Sequence, residues 1–114
     1  MVSPAAGRVV LVPFPFSDLS RAKLRPAVIL ANADRGDWIL CQITSNPYGD
    51  ARAVPLTNAS FRTGSLHAAS YARPGKLFTA NRALMVRQVG SLRTEALEDI
   101  IDAVVGILRA GVGP

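Results

Sequence analysis

Short apolar blocks punctuated by turn residues run along most of the chain, and a different period takes over near the end. "GRVVLVPF" (7–14) is β-branched and apolar and stops at Pro13 and Pro15, which predicts a first strand. "SDLSRAK" (17–23) is polar and reads as a loop. "RPAVILAN" (25–32) is continuously apolar at its centre, the pattern of a strand buried on both faces. "ADRG" (33–36) has turn chemistry. "DWILCQITS" (37–45) alternates, with Ile39, Cys41 and Ile43 on one face and Trp38, Leu40, Gln42 and Thr44 on the other. "NPYGD" (46–50) is a turn. "RAVPLT" (52–57) is a short strand that Pro55 places at an edge or bulge. Residues 60–75 read as irregular with room for one short strand, and 76–92 hold at least one more.

From Leu97 the period becomes helical. Leu97, Ile100, Ile101, Val104, Val105 and Leu108 fall on one helix face. Thr94 is the expected N-cap, with Glu95, Glu98 and Asp99 at the positive helix start. Arg109 suits the negative end, and Gly111 is the expected left-handed stop. The pattern predicts an α+β, mainly β fold: about five short strands in a small twisted sheet or partly open barrel, with a C-terminal helix.

The strand pattern carries a local geometry. A four-residue loop at 33–36 places Asn32 opposite Asp37, Ala31 opposite Trp38, Ile29 opposite Leu40 and Ala27 opposite Gln42. Arg25 then falls opposite Thr44, and opposed residues share a face. Pro26 restricts Arg25 to extended backbone. Two polar groups thus converge at the mouth of an apolar strand. The bland reading is a strand-end arginine snorkelling to water beside an ordinary β-forming threonine.

At 114 residues the chain is expected to be one domain, 1–114, with a single core. Apolar residues are 49% and charged ones 18%, which excludes a disordered chain. No apolar stretch approaches the roughly 18 residues a membrane helix needs, and the N-terminus lacks the basic leader of a signal peptide. Cys41 has no partner for a disulfide and reads as a buried thiol. These features suit the cytoplasm.

Charge sharpens the picture. Residues 1–94 hold 12 of the 13 Lys/Arg and 4 of the 8 Asp/Glu, a balance of +8; the remainder is acidic and mostly helix. Such a body suits a polyanionic partner, or simply confers solubility. One His and one Cys form no metal-ligand spacing, so no metal or other cofactor is expected, and the glycines form no phosphate-cradling loop.

In this order, "GRVVLVPFPFSD", "LRPAVIL", "QITS", "GSLHAASYARPGKLFT" and "LMVRQVGSL" closely resemble the MazF/PemK (Kid) family of toxin ribonucleases over about residues 7–110. The resemblance implies an SH3-like barrel of the CcdB/PemK type, with five to seven antiparallel strands and a C-terminal helix. It implies a cytoplasmic homodimer that cuts single-stranded RNA without metal. The 2′-OH attacks the neighbouring phosphate, leaving 2′,3′-cyclic phosphate and 5′-OH ends. The family's arginine and threonine map onto Arg25 and Thr44. A fixed guanidinium suits a phosphorane's extra negative charge and is a poor base. Where some members carry an Arg–x–Asp pair, "SLHAAS" offers only His67 and Ser70 for acid–base or positioning work; His67 reads equally as a loop histidine without a role.

Lys23, Ser45, Asn46 and Arg73 are the expected RNA contacts, with "SDLSRAK" as a lid. Phe61–Arg62 and Tyr71–Arg73 pair a ring with a cation, for stacking unpaired bases or for core and rim packing. An antitoxin with an acidic, partly apolar flexible segment is the expected protein partner. Two other classes stay open: a non-enzymatic toxin similar to CcdB, which binds DNA gyrase, and a nucleic-acid-binding barrel without cleavage.

Overall fold

The structure, a computed structural model, describes residues 2–14 and 23–112. Seven strands are followed by one helix: β1 (Arg8–Phe14), β2 (Lys23–Asp34), β3 (Asp37–Thr44), β4 (Val54–Leu56), β5 (Phe61–Gly64), β6 (Ser70–Asn81), β7 (Arg87–Leu92) and α1 (Thr94–Val112). They form one antiparallel sheet in the order β4-β6-β3-β2-β1-β7-β5. The stretch 60–75, which the sequence leaves largely irregular, contains β5 and the first half of β6.

The chain itself dictates curvature. β4 and β5 are consecutive in sequence yet occupy opposite edges of the sheet. Five residue steps from Leu56 to Phe61 span at most about 18 Å. A flat sheet would hold its two edge strands about 29 Å apart, at about 4.8 Å per strand. The sheet therefore curls into a half-barrel, and Leu56 and Phe61 meet in one core.

That inner core joins Val9, Val28, Cys41, Ile43 and Ala72 to Ile100 and Val104 of α1. Fully burying a valine or isoleucine of this set stabilises by about 1.5–3 kcal/mol. The opposite face of the same strands is also covered: Val10, Val12, Ala27, Ile29 and Leu40 pack with Phe14, Ala80 and Met85. Burial on both faces is why Ala27–Leu30 shows no alternation.

Two local expectations are corrected. The β2–β3 loop is a two-residue turn at Arg35–Gly36, not four residues, with Arg35 at φ 58° and Gly36 at φ 81°. Both values suit a type I′ hairpin. Two register shifts, between Ile29 and Ala31 and between Asn32 and Asp34, absorb the difference, so Ala31 pairs with Ile39 and Asn32 with Trp38. Beyond them the pairs Ile29↔Leu40 and Ala27↔Gln42 stand as expected. At the helix start, Leu97 N–H bonds to the carbonyl of Arg93, so Arg93 rather than Thr94 occupies the N-cap. Thr94 instead accepts a bond from Arg62 (3.2 Å), and Gly111 lies inside the helix rather than ending it.

Candidate active site

β1 ends, β2 begins and β3 ends at the same end of the sheet. Lys23 pairs with Phe14 there, and Arg25 with Val12. Alternation puts Arg25 on the face of Ala27, and Ala27 pairs with Gln42. The β2–β3 ladder stops at that pair; carried two residues further, its register puts Arg25 opposite Thr44. Pro26 has no N–H to extend the ladder. The Arg25 side chain is exposed and makes no hydrogen bond or ion pair among the described residues. A free guanidinium on a rigid strand suits an anionic ligand.

A groove of about 360 Å³ runs along this face, walled by Val12, Phe14, Gln42, Lys76, Phe78 and Leu84. Phe14 and Phe78 meet edge to face at 4.6 Å. Val12 and Gln42 are thus both groove walls and close register neighbours of Arg25.

Thr44 ends β3 and starts a tightly bonded turn. Its hydroxyl donates to the Asn46 carbonyl (3.0 Å) and accepts the Asn46 N–H (3.1 Å). Asn46 Oδ1 accepts the Tyr48 N–H at 2.9 Å. Ser45 and Asn46 are exposed on this turn. Thr44 pairs with Tyr71 of β6, which brings Arg73 alongside. Arg73 Nε donates to Asp50 Oδ2 at 3.2 Å, and its guanidinium lies 5.6 Å from the centre of the Tyr48 ring. The Arg52 amide and then the Arg73 guanidinium hold the Asp50 carboxyl below its ordinary 3.8, which makes it a weak proton acceptor.

The backbone of β6 bulges where it passes this site. Cys41 pairs with Leu77 and Ile43 with Ala72, so residues 73–76 together oppose Gln42. Buried Pro74 fills the bulge, and the buried Cys41 thiol donates to the Arg73 carbonyl at 3.1 Å. Burial pushes that thiol up to about 12, so it stays a protonated donor. The cysteine read from sequence as a buried thiol thus supports the strand that carries Arg73.

His67 and Ser70 lie elsewhere. His67 lines a groove of about 570 Å³ with Leu11 and Pro26. Pro26 and Arg25 occupy opposite faces of β2, so His67 is not gathered with Arg25. Ser70 is buried and donates to the Ala68 carbonyl at 2.9 Å, closing the turn before β6. The lid expected over "SDLSRAK" lies outside the described residues except for Lys23, which opens β2 instead of belonging to a loop. Of the ring–cation pairs read from sequence, Arg73 stacks on Tyr48 rather than Tyr71, and Phe61 is in the core.

Tyr48, Asp50, Gln42 and Lys76 are the site residues that sequence reading passed over. "NPYGD" marked a turn; no local pattern pointed Asp50 at Arg73, 23 positions away. Among the described residues no three His, Cys, Asp or Glu side chains gather as a metal site. No described helix is long and apolar enough to cross a membrane.

Residues 5–108 match the family model described as PemK-like, MazF-like toxin of type II toxin–antitoxin system. The chain belongs to this toxin family. No curated protein matches it by sequence. Among solved structures, the PemK/MazF-type chain is similar to MazF from Deinococcus radiodurans at 20% identity and TM-score 0.72, over 95% of this chain and 98% of the other. A chain of a MazE–MazF complex from the same organism matches at 19% identity and TM-score 0.71, over 95% and 97%. An endoribonuclease in complex with its cognate antitoxin, from a mycobacterial species, matches at 15% identity and TM-score 0.70, over 95% of both chains. At these identities the likeness is one of fold. The half-barrel with its C-terminal helix is the PemK/MazF architecture.

Proposed function

We propose that this PemK/MazF-family toxin is a sequence-specific endoribonuclease of the cytoplasm that cleaves single-stranded RNA without a metal. The observation that carries the reading is Arg25: an exposed guanidinium without a described protein partner, paired with the groove wall Val12, and falling opposite Thr44 when the β2–β3 register is extended two residues. In this reading the ribose 2′-OH attacks the adjacent phosphorus. The 2′-OH proton passes to solvent water as the O2′–P bond forms, the P–O5′ bond breaks, and O5′ takes up a proton from water, giving 2′,3′-cyclic phosphate and 5′-OH ends.

Arg25 stabilises the charge that builds on the phosphorane oxygens and donates a hydrogen bond to the departing 5′-oxygen. Thr44 has its O–H committed to Asn46 and one lone pair committed to the Asn46 amide. One lone pair remains to accept from the 2′-OH. Thr44 therefore orients the nucleophile and does not deprotonate it. Lys23, Lys76 and Arg73 surround this end of the sheet and hold flanking phosphates. A homodimer and a cognate antitoxin complete the proposal. An acidic, partly apolar segment of the antitoxin would cover the basic, apolar-walled groove.

The test is incubation of pure protein with long RNA in excess EDTA, followed by mapping of the ends. Discrete cuts with cyclic phosphate ends are expected from the native protein, with strong loss in Arg25→Ala and Thr44→Ala. Intact RNA, or equal cutting by both variants, sinks the reading. Intact RNA together with gyrase-dependent DNA breaks would instead place the chain with CcdB-like toxins.

A further inference from the structure

Tyr48 is an uncommon residue in its setting. It is 69% exposed, a large ring in water. Its φ is +54°, a conformation bulky side chains avoid unless the surroundings impose it. Those surroundings are visible. Asn46 Oδ1 holds the Tyr48 N–H, and Gly49 at φ +72° continues the turn. The Arg73 guanidinium sits against the ring and is itself fixed by Asp50. The Arg73 terminal nitrogens make no hydrogen bond among the described residues.

The turn thus holds a ring rigidly, backed by a cation and largely open to solvent. An unpaired nucleobase has the flat π-face that such a platform accepts, and the free Arg73 donors suit its phosphate. Four residues of chain keep Tyr48 within about 14 Å of Thr44. We propose that Tyr48, backed by Arg73, is the stacking subsite for an unpaired base flanking the phosphate held at Arg25 and Thr44. The inference rests on the RNA-cleaving function proposed above, and deepens it by naming a base contact outside the reacting pair.

The probe is a random-sequence pool of short 2′-O-methyl RNA, which lacks the attacking hydroxyl and so stays intact. Tyr48→Ala should bind it roughly 5- to 150-fold more weakly, the range expected for one lost stack. Tyr48→Phe should bind within about twofold of the native protein, because the ring remains. Ultraviolet crosslinking of the native complex should leave an adduct on the peptide carrying Tyr48. Unchanged binding by Tyr48→Ala, or equal loss in Tyr48→Phe, overturns the subsite. If Tyr48→Ala fails to fold by circular dichroism, the crosslink decides: an adduct at Tyr48 supports the platform, and adducts only elsewhere reject it. A native protein that neither binds this pool nor cuts RNA defeats the underlying function. One that cuts RNA, with Tyr48→Ala binding as the native protein does, defeats only the platform.

Discussion

Arg73 on β6 reaches back to Asp50, Nε to Oδ2 at 3.2 Å, and so ties a sheet strand to the turn that begins at Thr44. Both side chains are partly exposed, about a fifth each. An ion pair in such a position adds little to global stability. Its effect is local order. In Arg73→Ala, hydrogen exchange at the amides of residues 46–52 should speed up by about tenfold or more while the thermal midpoint barely moves. Arg73→Lys should recover only part of the protection, because an ammonium lacks the planar face that stacks on Tyr48. Unchanged exchange in Arg73→Ala would show that the turn holds itself.

Arg25 separates chemistry from stability. It is exposed and has no described partner to lose, so Arg25→Ala should unfold within about 0.5 kcal/mol of the native chain. If its guanidinium meets the developing charge, kcat should fall by about 10² to 10³, the cost of removing one such donor. Arg25→Lys keeps the charge but not the fork, and should rescue only a fraction. Single-turnover cleavage beside a urea titration measures both quantities. A loss of activity matched by a loss of stability would contradict the assignment.

The acid limb follows from Asp50. Its folded pKa lies below the ordinary 3.8, so the folded state holds its proton more weakly than the unfolded one. The stabilisation is therefore present above 3.8 and is lost as pH falls through the lower folded value. The Arg73 clamp should stay closed across the neutral range and open only in strong acid. A carboxyl NMR titration of Asp50 checks this; a midpoint above 3.8 would refute it.

Legibility in the sequence tracks how local each cause is. The apolar block Ala27–Leu30 announced a strand buried on both faces, and the match of Ile29 with Leu40 fixed its register against β3. That register survived a wrong turn length, because Arg35 takes a left-handed φ that arginine seldom adopts and two irregularities took up the difference. The helix face was legible by period from Leu97 to Val104, while Val105 and Leu108, read on the same face, are exposed beyond the reach of the sheet; its cap was not legible, since Arg93 lacks a capping side chain. The platform was illegible for another reason. Arg73 meets Tyr48 and Asp50 only after β6 has paired with β3 and bulged over Gln42. No window of sequence contains that juxtaposition.

Cys41 links the bulge to alkaline stability. Its thiol is pushed up to about 12 by burial, against an ordinary 9.0, and donates to the Arg73 carbonyl at 3.1 Å. A raised folded pKa gives stability that is whole below 9.0 and declines as pH rises toward 12, where the unfolded thiol ionises first. The unfolding free energy of the native chain, read from urea titrations, should therefore fall between pH 9 and 12, by at most about 1.4 kcal/mol per pH unit from this group. Cys41→Ala should flatten that part of the slope. It should also cost about 1–3 kcal/mol at neutral pH, because the Arg73 carbonyl loses its buried donor. At pH 8 a thiol reagent should label Cys41 only after denaturant is added. Fast labelling of the folded protein, or an equal alkaline slope in Cys41→Ala, would mean that the thiol is neither sealed nor part of the support beneath Arg73.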